Sequence, residues 1–188
     1  MMGISLPITP LQILWVNMIT SVTLGLALAF EPPEGDVMRR APLPPTEPLL
    51  NQFLSWRIIF ISAIMVMGTL GLFLWDRYHG ETLEMARTTA VNTLIFFQIF
   101  SLFNARYLKA SVLSREGLFG NPAVLFAVAG IAILQLFFTY MPLFQKVFGT
   151  AAIPAGDWIR LISFTFMVFV MVEIEKVIMR RLDKRRKL

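Results

Sequence analysis

Asn17, Thr20 and Ser21 fall at spacings i, i+3 and i+4, so a helix would place all three side chains on one face. They lie in LQILWVNMITSVTLGLALAF, residues 11–30, a stretch without a charged residue. An amide oxygen and two hydroxyls are hard ligands suited to Na⁺, K⁺, Ca²⁺ or Mg²⁺. Gln98 and Ser101 repeat the i, i+3 spacing within the uncharged run TTAVNTLIFFQIFSLFNA, residues 88–105. The same residue types have a second use. Serine and threonine in membrane helices bond the carbonyl one turn earlier, and polar side chains join helices at about 0.6–2 kcal/mol each. The asparagine is harder to assign to packing alone, since an unpaired amide in hydrocarbon costs several kcal/mol.

Long apolar helices are needed to position these groups. Of the 188 residues 56% are hydrophobic and only 15% charged, and mean hydropathy is +0.68. A soluble core of this size could not hide so much apolar surface, so the chain reads as an all-α polytopic membrane bundle. Five segments match the roughly 20 residues that cross a bilayer: 9–30, 58–75, 88–105, 122–141 and 158–179. Between the first two lies a proline-rich loop, 31–56, with six of the eleven prolines, and a basic tail follows at 180–188. Thirteen of the seventeen Lys and Arg fall on the side of that loop and tail. The positive-inside rule then puts the N-terminus outside and the C-terminus in the cytoplasm, most simply in the plasma (inner) membrane. The tail can touch anionic lipid, and no nucleic-acid partner is expected. There is no cysteine, and the single histidine, His79, cannot by itself make a metal site.

Two further features have structural readings. Glu173 and Lys176, at i, i+3 in the last span, can pair or snorkel. Gly68 and Gly71 mark close helix packing.

The run LPITPLQILWVNMIT and the downstream Phe30, Pro32, Pro33, Met38, Arg40 and Pro42 resemble the sixth transmembrane helix and following cytosolic loop of P-type cation-transporting ATPases, the group of the calcium and sodium/potassium pumps. The span ending FQIFSLFNAR and the basic tail agree with that likeness, which covers essentially the whole chain as spans six to ten. The resemblance implies ion coordination by Asn17 and Thr20, with Ser21, Gln98 and Ser101 on the same cation pathway. It implies coupling to a phosphorylated headpiece through Glu31, Glu34, Asp36 and Arg40. It also implies Mg-ATP as the fuel of the whole pump, with an inorganic cation, the remaining spans and the headpiece as partners. Ser21 departs from the pattern, since those pumps carry an aspartate there and a nearby proline. Gln98 stands where the calcium pump has a glutamate. The phosphorylated Asp-Lys-Thr-Gly motif is absent, so this chain holds no catalytic residue or cofactor of its own and is expected to be inactive alone. The opening MMGISLPITP reads as an extracellular turn after a missing helix, hence as a fragment. A reading of another class is a stand-alone accessory membrane subunit, or a small pore without ATP coupling.

Overall fold

The computed structural model describes residues 5–30, 52–106 and 120–186. Glu31, Glu34, Asp36 and Arg40 lie outside the described residues, as do Lys187 and Leu188 of the tail. The described elements are helical: α1 (Pro10–Ala29), α2 (Gln52–Tyr78), α3 (Leu83–Arg106), α4 (Pro122–Tyr140), α5 (Pro142–Phe148) and α6 (Ala155–Arg186).

Local sequence sets several of the boundaries. Thr9 caps α1 and Pro10 occupies its first turn, where a missing N–H costs nothing. The cap is reciprocal: the Gln12 backbone donates to Thr9 Oγ1 at 3.3 Å and the Thr9 backbone donates to Gln12 Oε1 at 2.9 Å. Asn121 and Pro122 start α4 in the same way, with the Ala123 N–H donating to Asn121 Oδ1 at 2.9 Å. The short α5 ends at Gly149, whose φ of 62° is the left-handed conformation glycine adopts cheaply.

Three helices exceed the spans expected from hydropathy; α3 starts at Leu83, five residues before the 88–105 expected. α2 starts at Gln52, so residues 52–56 of the expected loop form its first turns. α6 runs through the first residues of the basic tail to Arg186, and its 32 residues extend it beyond the 158–179 expected. At 1.5 Å per residue such a helix is about 48 Å long. The hydrocarbon is only about 30 Å thick, so charged turns can continue outside it.

α3 is the hub and packs against α1, α2, α4 and α6. One core joins Trp15, Val16 and Ile19 of α1 to Val91, Ile95 and Ile99 of α3 and to Ile131 and Phe138 of α4. Phe73 of α2 meets Ala86 and Ala90 of α3 in a second cluster. At Gly68 a side chain would strike Phe97 and Phe164 at 2.8 Å, so the expected close packing occurs there, whereas Gly71 faces open space.

Polarity runs inward. Thr88, Thr89, Asn92 and Thr93 on α3 are fully buried, as is Thr139 on α4, while Leu14, Ile59, Met67, Phe126, Ile159 and Ile174 point out. A bundle immersed in lipid needs that arrangement, because only protein neighbours can satisfy polar groups there. Among the described residues α1, Leu54–Tyr78 of α2 and α4 are long and apolar enough to cross a membrane.

Candidate functional site

The C-terminal halves of α1 and α3 and the N-terminal half of α2 enclose an open cavity of about 550 Å³. Thr20, Ser21, Gln98 and Ser101 all line it. Two strips 77 positions apart, chosen from the sequence for oxygen chemistry, therefore face one space. Asn17 does not line it and is exposed on α1.

Each side chain brings a different capacity. Thr20 is buried, and its hydroxyl donates to the Val16 carbonyl at 2.7 Å. That bond is the structural use expected of a membrane threonine, yet it consumes only the proton and leaves lone pairs on the oxygen. Ser21 is exposed at the cavity edge. Gln98 is half-buried, but its Oε1 is shielded from solvent and accepts no hydrogen bond. Asn104 Oδ1, two turns further along α3, is in the same condition and also lines the cavity. Buried carbonyl oxygens without donors are uncommon and call for a ligand, an ion or water.

Arg57 was hidden from sequence reasoning because its charge assigned it to the polar loop side. It is 4% exposed on α2 and contributes a fixed positive charge to the cavity wall. Ser62 adds a hydroxyl one turn deeper. Among the described residues no Asp or Glu lines the cavity. Among the described residues no group of three or more His, Asp or Glu could hold a metal ion.

Three other polar systems tie the helices together. Trp15 Nε1 donates to Gln135 Oε1 at 3.4 Å, and Asn92 Nδ2 donates to Thr139 Oγ1 at 3.1 Å, linking α1 and α3 to α4. Trp15 also stacks on Phe138 at 5.5 Å and is edged by Phe144 of α5. At the opposite end of the bundle from the cavity, Arg160 of α6 pairs with the buried Asp76 of α2 and with Asp157 at 3.0 Å. The expected Glu173–Lys176 pair forms at 2.7 Å and turns inward toward α3 instead of snorkelling.

Residues 5–178 match the family model described as "Cation transporting ATPase, C-terminus". The chain is 39% identical over 178 residues to the "Probable cation-transporting ATPase F" of Mycobacterium bovis, covering 95% of this chain and 20% of that protein. It is 35% identical over 164 residues to a "Calcium-transporting ATPase" of Bacillus subtilis, covering 87% and 18%. Likeness to the mouse "Calcium-transporting ATPase type 2C member 2" is 32% over 173 residues, covering 91% and 18%. The chain thus spans about a fifth of the length of the curated relatives it matches.

Proposed function

Because the chain belongs to the family of C-terminal membrane regions of cation-transporting P-type ATPases, we propose that its cavity is part of the ion path of an ATP-driven pump. The observation that carries this reading is that Gln98, whose Oε1 accepts no hydrogen bond, lines the same cavity as Thr20, Ser21 and Ser101. Neutral oxygens can replace part of an ion's water shell. In this reading Asn17, on the exposed strip one turn from Thr20 and Ser21, meets the ion from the side completed by spans outside this chain. All five long helices cross the bilayer, α3 included, because its polar residues are sheltered by the helices around it. The basic-residue split puts the N-terminus outside and the C-terminus in the cytoplasm of a plasma membrane, where the tail can meet anionic lipid. Glu31, Glu34, Asp36 and Arg40 then belong to a cytosolic segment that couples the path to a headpiece, and Mg-ATP drives that headpiece.

The ligand set bears on the ion. With neutral oxygens from Thr20, Ser21, Gln98 and Ser101 in its wall, the cavity gives little anionic compensation for a dehydrated divalent cation. It suits a monovalent cation, or a divalent one held mainly by carboxylates on other spans. The test is Gln98→Ala in the pump that carries this chain, titrating cation-dependent phosphorylation. Apparent affinity should fall at least about fivefold, about 1 kcal/mol. Wild-type affinity would remove the cavity from the ion path.

A further inference from the structure

The last four carbonyls of an α-helix lack donors within the helix and form the negative end of its dipole. In α3, which ends at Arg106, one of these is the carbonyl of Asn104. Its partner comes from another helix: Lys176 Nζ of α6 donates to it at 3.2 Å. The ammonium also meets Glu173 Oε1 at 2.7 Å, and the two side chains are only 1% and 4% exposed. A cation and its counter-charge are thus held in the interior of the bundle, against the end of the hub helix.

The location gives this pair its consequence. Gln98, Ser101 and Asn104 recur every three residues along α3 and all line the cavity. Lys176 grips the backbone at the last member of that strip. Above it, Phe97 meets Phe164 edge-on at 6.1 Å, and Phe100 lies 5.3 Å from Phe169. The rings supply contact area between α3 and α6 but little directional constraint, since apolar contacts tolerate sliding. The Lys176 hydrogen bond is directional and ties the end of α3 to α6 at the Asn104 carbonyl.

We infer that Glu173 and Lys176 are positioning residues that set the register of α3, and through it the aim of Gln98 into the cavity. The inference rests on the ion-path reading above. It gives α6 a part in cation affinity although none of its described side chains lines the cavity. It also accounts for a buried ion pair where apolar side chains of similar volume would pack at no cost in stability, as buried pairs commonly can be replaced.

The experiment uses the full-length pump that carries this chain, with Glu173→Gln/Lys176→Met as the main variant, because it removes both charges of the pair together. Cation-dependent phosphorylation gives the apparent affinity. Phosphorylation by inorganic phosphate without the cation, together with the thermal unfolding midpoint, reports whether the protein is folded. The expected result is a loss of affinity of at least fivefold, with the phosphate reaction and the midpoint near wild type and with Lys176→Arg retaining affinity. Adding Gln98→Ala should cause little further loss, since residues acting through one contact are not additive. Wild-type affinity in the double variant overturns the inference, and so does full additivity with Gln98→Ala. Should the double variant fail to fold, Glu173→Gln/Lys176→Gln, which keeps polar ends at both positions, reads the same quantity, and wild-type affinity there overturns it equally. Gln98→Ala alone separates the two levels. If it is silent, the ion-path reading falls and this inference with it. If it lowers affinity while the pair variants do not, only the inference falls.

Discussion

Gly68 and Gly71 lie one turn apart on α2 and should respond to the same substitution with opposite signs. At Gly68 an added methyl would sit 2.8 Å from Phe164 Cε1, 2.8 Å from Phe97 Cζ and 2.9 Å from Phe97 Cε2. Ordinary carbon contacts are about 3.5–4.0 Å, so both rings would have to retreat by several tenths of an ångström. Phe97 is 2% exposed, and the two rings already contact each other at 69° between planes. Overpacking of this kind costs about 1–3 kcal/mol, against a gain of up to about 1 kcal/mol for alanine over glycine within a helix. Gly68→Ala should therefore lower stability by up to about 2 kcal/mol. At Gly71 nothing lies within 4 Å, so only the propensity gain applies and Gly71→Ala should raise stability by up to about 1 kcal/mol. For a chain of this length each kcal/mol moves the midpoint by roughly 2–4 °C. Circular dichroism of both variants during heating in one detergent would order them as Gly71→Ala, wild type, Gly68→Ala. If Gly68→Ala were as stable as Gly71→Ala, the three-helix junction of α2, α3 and α6 would not be packed as described.

Cysteines introduced at Glu81 and Asp183 should label from opposite sides of the membrane, with Glu81 outside; labelling of both from one side would remove the five-span topology. The purified chain alone should give neither vanadate-sensitive ATPase activity nor an acid-stable phosphoenzyme, because the phosphorylated motif is absent from its sequence, and either signal would contradict that. Ser21→Asp in the whole pump should shift preference toward divalent over monovalent cations by at least tenfold, about 1.4 kcal/mol. An unchanged preference in cation-dependent phosphorylation would refute the argument from ligand charge.

The long helices were legible because charge-free blocks of bilayer length have few alternatives. Their ends were less so. Arg57 looked like the last residue of a polar loop, yet it lies within α2 and is buried, which depends on neighbours that periodicity does not encode. The spacing of Asn17, Thr20 and Ser21 fixed a common face but not what covers it. α3 takes Thr20 inward, while Asn17 remains uncovered. Likewise the i, i+3 spacing foretold that Glu173 and Lys176 would meet, but not that the lysine would reach the Asn104 carbonyl 72 residues away in sequence. The polar residues of α3 carried the clearest tertiary signal. Seven Thr, Ser, Asn and Gln side chains between 88 and 104 are tolerable in a membrane helix only where protein surrounds it on most sides, and α3 is the helix with four neighbours.

The same reasoning bears on α1. Its exposed strip carries Leu14, Met18 and Val22, which suit hydrocarbon, interrupted by Asn17 and Ser21, which do not. Leaving one amide unpaired in lipid costs roughly 2–7 kcal/mol. A hydrogen bond between membrane helices is worth about 0.6–2 kcal/mol, and a partner on a neighbouring helix would lift the cost of an unpaired amide. The balance changes where a cation or its water meets that strip, since the amide oxygen then replaces solvation the ion has lost. In the proposed ion path, therefore, the exposed Asn17 offers its amide oxygen to the cation from the strip that carries Ser21 to the cavity edge.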